Sequence, residues 1–446
     1  MPWPMSKSEC LGWSQVHFRL AAHSKAPSSA KGSAIWDRLR VILLLLAAWS
    51  WALPPAVAQT SLTSAGWPEP PNISARSYAL IDLSTGQSLA SKDDQKIVPP
   101  MGLSGLMTAY VALQAVRDRK IRLNQTIGAP PEAEIPPGPK MFLSPEGAAV
   151  NKLLEGLFII GAHDAALALA NAISGSEQAF VAAMNATATR IGMTNTQFVS
   201  STGGAELALE LKGTTTARDM ALLANQMFFD FPDAFAVSRQ RALVFNSISQ
   251  NNKNRLLWLD RTVDGLYATD FSRVSSSLVT AQRPQPIGPK DQVQRRLLVV
   301  LLDVPSPEQR SADALKLLNF GYQKFDLIRL FRQDERPTML QVFKGIQDQV
   351  RVEFRRDVNV AVPRGATQNL RAELSHPRGL LAPILAGQPV GQLRIWLGAI
   401  EIHRVDLVAA ESVRSAGLLG RAIDSLRLWL TSLTTPSGGG PDKATP

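Results

Sequence analysis

Apolar residues along this chain fall into three spacings, and each predicts a different kind of element. A continuous apolar run occupies residues 41–53. From Leu103 to Met227 the apolar positions recur at three- and four-residue intervals, the spacing of a helix face, and predict helices over 103–119, 150–160, 164–173, 177–191 and 216–227. Residues 75–90 read instead as two short strands turning at Ser84-Thr85-Gly86, and strand patterns return at 276–281 and 297–302. Strands flanking a block of helices predict an α+β domain in which an antiparallel sheet closes over a helical cluster. After Phe325 short alternating runs at 349–354, 358–362 and 393–397, broken by Pro363-Arg364-Gly365 and Gly387-Gln388-Pro389, predict a small all-β module. Over 417–433, Leu419, Ile423, Leu426, Leu430 and Leu433 share one face of a helix, and Trp429 adds an interfacial side chain.

These patterns predict a signal peptide with an upstream extension over 1–58, a linker over 59–71, and a first domain over 72–323. A β-rich domain over 324–408, an amphipathic helix over 409–433 and a disordered tail over 434–446 follow. The signal rests on Arg38 and Arg40 before the apolar run and on Ala56-Val57-Ala58 after it, which places the mature start at Gln59. The run is shorter than the roughly 20 apolar residues of a permanent span.

Composition adds three points. A length of 446 residues with 45% hydrophobic content suits a globular protein with a sizeable core. The single cysteine, Cys10, precedes the expected cleavage site, so the mature chain carries neither a disulfide nor a thiol nucleophile. The net charge of +10, reduced to +6 on the mature chain, suits an anionic surface such as a membrane or a wall polymer, although an evenly solvated surface explains it equally. No pattern points to nucleic acid. The terminal helix is of the type that inserts its apolar face into the membrane interface with Arg421 and Arg427 near lipid phosphates, the alternative being a helix packed on its own domain.

Several stretches of the first domain resemble the low-molecular-mass penicillin-binding proteins, the serine D-alanyl-D-alanine carboxypeptidases. They include Tyr78-Ala79-Leu80-Ile81-Asp82, Leu106-Met107-Thr108-Ala109-Tyr110-Val111, Met141-Phe142-Leu143, Asp164-Ala165-Ala166 and Met184-Asn185. The match continues through 192–198, Ala217-Arg218-Asp219-Met220-Ala221, Asn254 with Leu256-Leu257-Trp258, and Val263-Asp264-Gly265. The resemblance implies a transpeptidase-like α+β domain, a β domain and a membrane-associating helix. It further implies a periplasmic place on the outer face of the inner membrane, stem peptides of peptidoglycan or wall-synthesis proteins as partners, and no cofactor.

Three short motifs carry that family's chemistry, and all three are degenerate here. A serine followed three residues later by lysine at a helix start lets the amine take the proton as the hydroxyl attacks. In the register set by Met107-Thr108, those positions are Gly102 and Gly105. The serine-x-asparagine position reads Gly161-Ala162-His163, and the lysine-threonine-glycine position reads Tyr267-Ala268-Thr269. The nucleophile, the base, the relay hydroxyl and the cation for a substrate carboxylate are therefore absent.

The substitutes are few. Ser104 is the nearest hydroxyl, but it lies roughly 200° around the helix from the nucleophile position, and three residues on from it stands Met107. Ser28-Ser29-Ala30-Lys31 lies upstream of the signal, and Ser249-Gln250-Asn251 is out of register. His163 has the right type for acid or base work, though a lone histidine more often has a structural role. His376 and His403 lack the pairing a zinc site wants. Tyr267 either fills the space of the missing lysine or stacks on a ligand, packing being the default. The reading is a carboxypeptidase homologue without acyl-transfer chemistry, with an active enzyme using Ser104 and a purely structural adaptor as its rivals.

Overall fold

The structure, a computed structural model, describes residues 66–417 apart from 132–134, 136, 205–212, 272–273, 289–290, 334–337 and 378. The apolar run at 41–53 lies outside these residues, as do Leu419, Ile423, Leu426, Trp429 and Leu430. The hairpin expected over 75–90 is β1 (Ser77–Asp82) and β2 (Gln87–Lys92). Its turn is held by Asp82, whose Oδ1 accepts from the Ser84 amide at 2.8 Å. Five helices follow: α1 (Ser104–Arg117), α2 (Val150–Ile160), α3 (His163–Ser174), α4 (Glu177–Ile191) and α5 (Ala217–Asp230). A small ladder of β3 (Thr126–Ile127) and β4 (Ala148–Ala149) precedes α2. The starts of α4 and α5 are capped, Ser176 Oγ accepting from the Ala179 amide and Thr216 Oγ1 from the Asp219 amide.

Beyond α5 come the short helix α6 (Ala234–Ser238), the hairpin β5 (Ala242–Phe245) and β6 (Ile248–Asn251), and the single turn α7 (Leu256–Leu259). Three long strands complete the main sheet: β7 (Val263–Phe271), β8 (Val274–Pro286) and β9 (Gln292–Val304). The order is β2-β1-β9-β8-β7, antiparallel throughout, with β7 at one edge.

Burial of β9 on both faces explains its unbroken apolar centre. Leu298, Val300 and Leu302 join the core shared with the helical cluster, whereas Leu297, Val299 and Leu301 join a second core. That second core is closed by α8 (Pro307–Lys324) through Ala314, Leu317, Leu318 and Phe320. The first domain is thus helices, sheet and helix, layered around two apolar interfaces.

The β module contains β10 (Phe325–Phe331), β11 (Thr338–Phe343), β12 (Gln349–Phe354), β13 (Val358–Pro363), β14 (Leu370–Ser375), β15 (Leu380–Leu381), β16 (Pro389–Leu397) and β17 (Ile400–Ala409). Six strands form one sheet in the order β14-β16-β17-β12-β11-β15, and β10 pairs with β13. A helix starting at 409 is not what the structure has: β17 runs to Ala409, then Val413 bridges to Ile384 and Ser415 to Gly345. Val413 is buried in the module's core, so strand-like pairing continues where the helix was expected. No helix among the described residues is long and apolar enough to cross a membrane.

Two of the polar contacts that join the domains are buried. The Gln87 amide donates to Ala361 O at 3.1 Å and accepts from Ala361 N at 2.6 Å. Arg295, fully buried, pairs with Asp82 at 2.8 Å and donates to Phe325 O at 2.9 Å, where β10 begins.

Candidate functional site

The three stretches picked out by register, 102–105, 161–163 and 267–269, lie far apart in the chain, and the fold brings them to one place. Gly102 sits in the 3-10 turn Met101–Leu103 that feeds α1, and Gly105 in the first turn of α1. Gly161 closes α2 in the left-handed conformation, and Ala162 and His163 lead into α3. Tyr267, Ala268 and Thr269 lie on the edge strand β7. The Tyr267 hydroxyl donates to the Gly102 carbonyl at 3.1 Å.

Glycines and side chains here are complementary in shape. A Cβ placed on Gly105 would lie 2.2 Å from Tyr267 Oη and 3.2 Å from its Cζ, and one on Gly161 would lie 3.1 Å from the same oxygen. A Cβ on Gly102 would lie 2.1 Å from Thr269 Oγ1. The two shortest distances fall far inside van der Waals contact. The phenol therefore occupies the volume that side chains at 105 and 161 would need, and Thr269 occupies that of a side chain at 102. Tyr267 is 2% exposed, and burial pushes its phenol far above the usual range. It stays protonated at neutral pH and serves as a donor, not a base.

Ser104 is fully buried, and its Oγ has no hydrogen-bond partner among the described residues. Met107, equally buried, stands where the base would have to be. The ring of His163 lies against Gly138, where a Cβ would come within 2.1 Å of its Cε1, and its backbone amide donates to Pro139 O at 2.8 Å. His163 thus belongs to the packing of the loop before α2. His376 is exposed beyond β14, and His403 lies on β17; both are in the other domain. Ser249-Gln250-Asn251 forms part of β6, where Gln250 donates to Lys140 O at 3.0 Å.

The residues that carry the resemblance are structural staples. Thr108 Oγ1 donates to Ser201 O at 2.6 Å, and the Asn185 amide both donates to and accepts from the backbone of Phe198. Asp164 accepts from the amides of Met141 and Leu143, pinning that loop on α3. Asp219 accepts from the Asn195 amide at 2.9 Å and from Thr196 Oγ1 at 2.7 Å, while Asp264 binds Arg296 and Thr280. Sequence reasoning missed Gly138 and Gly203. A Cβ on Gly203 would meet Met101 O at 1.7 Å, so this loop seats directly on the turn bearing Gly102. Close approaches between distant segments leave no local signal.

An antiparallel sheet whose edge strand meets the start of one helix and the turn between two others is the scaffold of the penicillin-binding class of serine enzymes, here with glycines and a tyrosine at its centre. The chain matches the D-alanyl-D-alanine carboxypeptidase family over residues 64–283 and the penicillin-binding protein 5 C-terminal domain over 325–415. It is 31% identical over 378 residues to the D-alanyl-D-alanine carboxypeptidase DacC of Escherichia coli, spanning 82% of this chain and 91% of that protein. The identity to DacA of the same organism is 29% over 371 residues, 81% of this chain and 89% of that one. Penicillin binding protein 5 from Haemophilus influenzae superposes with a TM-score of 0.66 at 26% identity, covering 78% of this chain and all of the other. Penicillin binding protein 6B from Escherichia coli gives 0.57 at 25% identity, with coverage of 77% and 98%. The chain belongs to the D-alanyl-D-alanine carboxypeptidase family.

Proposed function

We propose that this protein is a carboxypeptidase homologue of peptidoglycan metabolism that performs no acyl transfer and acts by binding cell-wall peptides or proteins of wall synthesis. The observation that carries the reading is the Tyr267 phenol seated in the volume of the missing side chains at 105 and 161. Removing nucleophile and base together costs a serine hydrolase on the order of a millionfold in rate. Ser104 offers no replacement, being buried without a base beside it. The apolar run at 41–53 with its small-x-small end supports export to the periplasm, and the apolar face of 417–433 supports attachment to the outer face of the inner membrane.

The test is incubation with a fluorescent penicillin, followed by denaturing electrophoresis and mass spectrometry, beside a Ser104→Ala variant. β-Lactams acylate this family's serine, so the label reads the nucleophile directly. No adduct is expected from either protein. A stoichiometric adduct lost in the variant would establish a working enzyme with a rearranged site. Calorimetry with a stem peptide ending in D-alanyl-D-alanine then separates peptide binding from partner-protein binding.

A further inference from the structure

The geometry points to a second membrane contact, on the tip of the β module, in which Ile346, Leu381 and Leu385 meet a phospholipid surface. These side chains are 68%, 58% and 68% exposed. Their neighbours explain why: Leu380 and Ile384 are buried in the module's core, and backbone alternation turns Leu381 and Leu385 outward. Val342 and Phe343 pair in parallel with Leu380 and Leu381, and the Ala382 amide donates to Phe343 O at 3.0 Å. The Ile346 amide donates to Arg414 O at 2.9 Å, and Ile384 and Val413 exchange two bonds of 2.9 Å. The turn at 343–348 and the segment 380–388 are thus tied through 413–415 into one tip.

The path of the chain names the occupant. The Ala416 amide donates to Lys344 O at 2.8 Å, so the chain leaves the module on this tip, and Gly417, the next residue, opens the amphipathic pattern. The membrane-surface reading of the pattern at 417–433 would set this tip at the same lipid surface. Arg414 is exposed and forms no ion pair among the described residues, which suits phosphate headgroups. Asp348 and Glu411 stand nearby and offset that charge, so apolar insertion supplies most of the contact. The inference rests on the membrane-surface reading of 417–433.

The mature chain expected from Gln59 has no cysteine, so a Leu385→Cys variant of it takes a single environment-sensitive fluorophore. Val244→Cys, at a 61% exposed position of the first domain, is the control. With vesicles of phosphatidylcholine and phosphatidylglycerol, the label at 385 shifts to the blue and the label at 244 does not. Ile346→Ser with Leu381→Ser and Leu385→Ser lowers vesicle affinity about tenfold or more in co-sedimentation, with the urea midpoint unchanged. An unshifted label at 385 on vesicles that the protein binds overturns the tip contact and leaves the helix reading standing. So does a triple variant that binds like the parent. A mature chain, starting at Gln59, that fails to sediment with vesicles overturns both.

Discussion

Gly105→Ala is the sharpest probe of whether the site is filled. The added methyl would stand 2.2 Å from Tyr267 Oη, and the phenol cannot swing away freely because it is buried and bonded to the Gly102 carbonyl. Overpacking of a tight core costs about 1–3 kcal/mol. The alanine recovers up to about 1 kcal/mol of helix preference, less in a first turn, leaving a net loss of about 1–2 kcal/mol. Tyr267→Phe alone removes the hydroxyl and its hydrogen bond, a loss of about 1 kcal/mol. In that phenylalanine background the nearest ring atom is the former Cζ, 3.2 Å from the new methyl, a gap that a few tenths of an ångström of movement relieves. Gly105→Ala then becomes neutral or mildly stabilising, so the two changes couple favourably by about 2 kcal/mol. Urea denaturation of the four proteins, followed by circular dichroism at neutral pH, measures the cycle. A coupling within about 0.5 kcal/mol of zero would refute the filled site.

Two further outcomes follow from the β module and its attachment. Burial, reinforced by the nearby Arg356 cation, depresses His403 to about 4. Its value in the unfolded chain is about 6.5, so between the two values only the unfolded chain takes up the proton. Stability is complete above about pH 6.5 and falls as the pH drops toward 4, by up to about 3 kcal/mol. His403→Gln should flatten that limb of the curve of urea midpoint against pH, and an unchanged limb would show that the histidine does not drive it. Gln87→Ala strips both backbone partners from Ala361, a loss of about 2–4 kcal/mol at the join. Calorimetry should then resolve separate transitions for the two domains; a single unshifted transition would mean that Gln87 is not what couples them.

Periodicity located five helices of the first domain to within a few residues, because each presents an apolar face to one core. It missed α8, whose buried side includes charged residues. Arg310 donates to Thr269 O and Lys253 O and pairs with Asp270, and Asp313 accepts from the Ser74 amide at 2.8 Å. Buried but polar, such positions read as solvent-facing. Ser306 was the legible sign, its Oγ accepting from the Gln309 amide ahead of Pro307. The β module's length was misjudged for a related reason: Val413 is a lone apolar residue among polar neighbours, and only its bridge to Ile384 shows it to be core.

The sequence by itself determined which side chains stand at the positions that resemble the family's motifs. Glycine at 102 and 105 and tyrosine at 267 carry neither the serine hydroxyl nor the lysine amines that the resemblance implies there, and folding cannot supply them. It also determined the two-domain texture, because local periodicity follows from which face of each element meets water. Tertiary structure decided what stands in the vacated space. Whether Tyr267 reaches Gly102 and Gly105, or Thr269 lies against Gly102, depends on how closely β7 approaches the start of α1. Such contacts join residues more than 160 positions apart and impose no period on the chain, so only the packed fold reveals that the site is occupied from within.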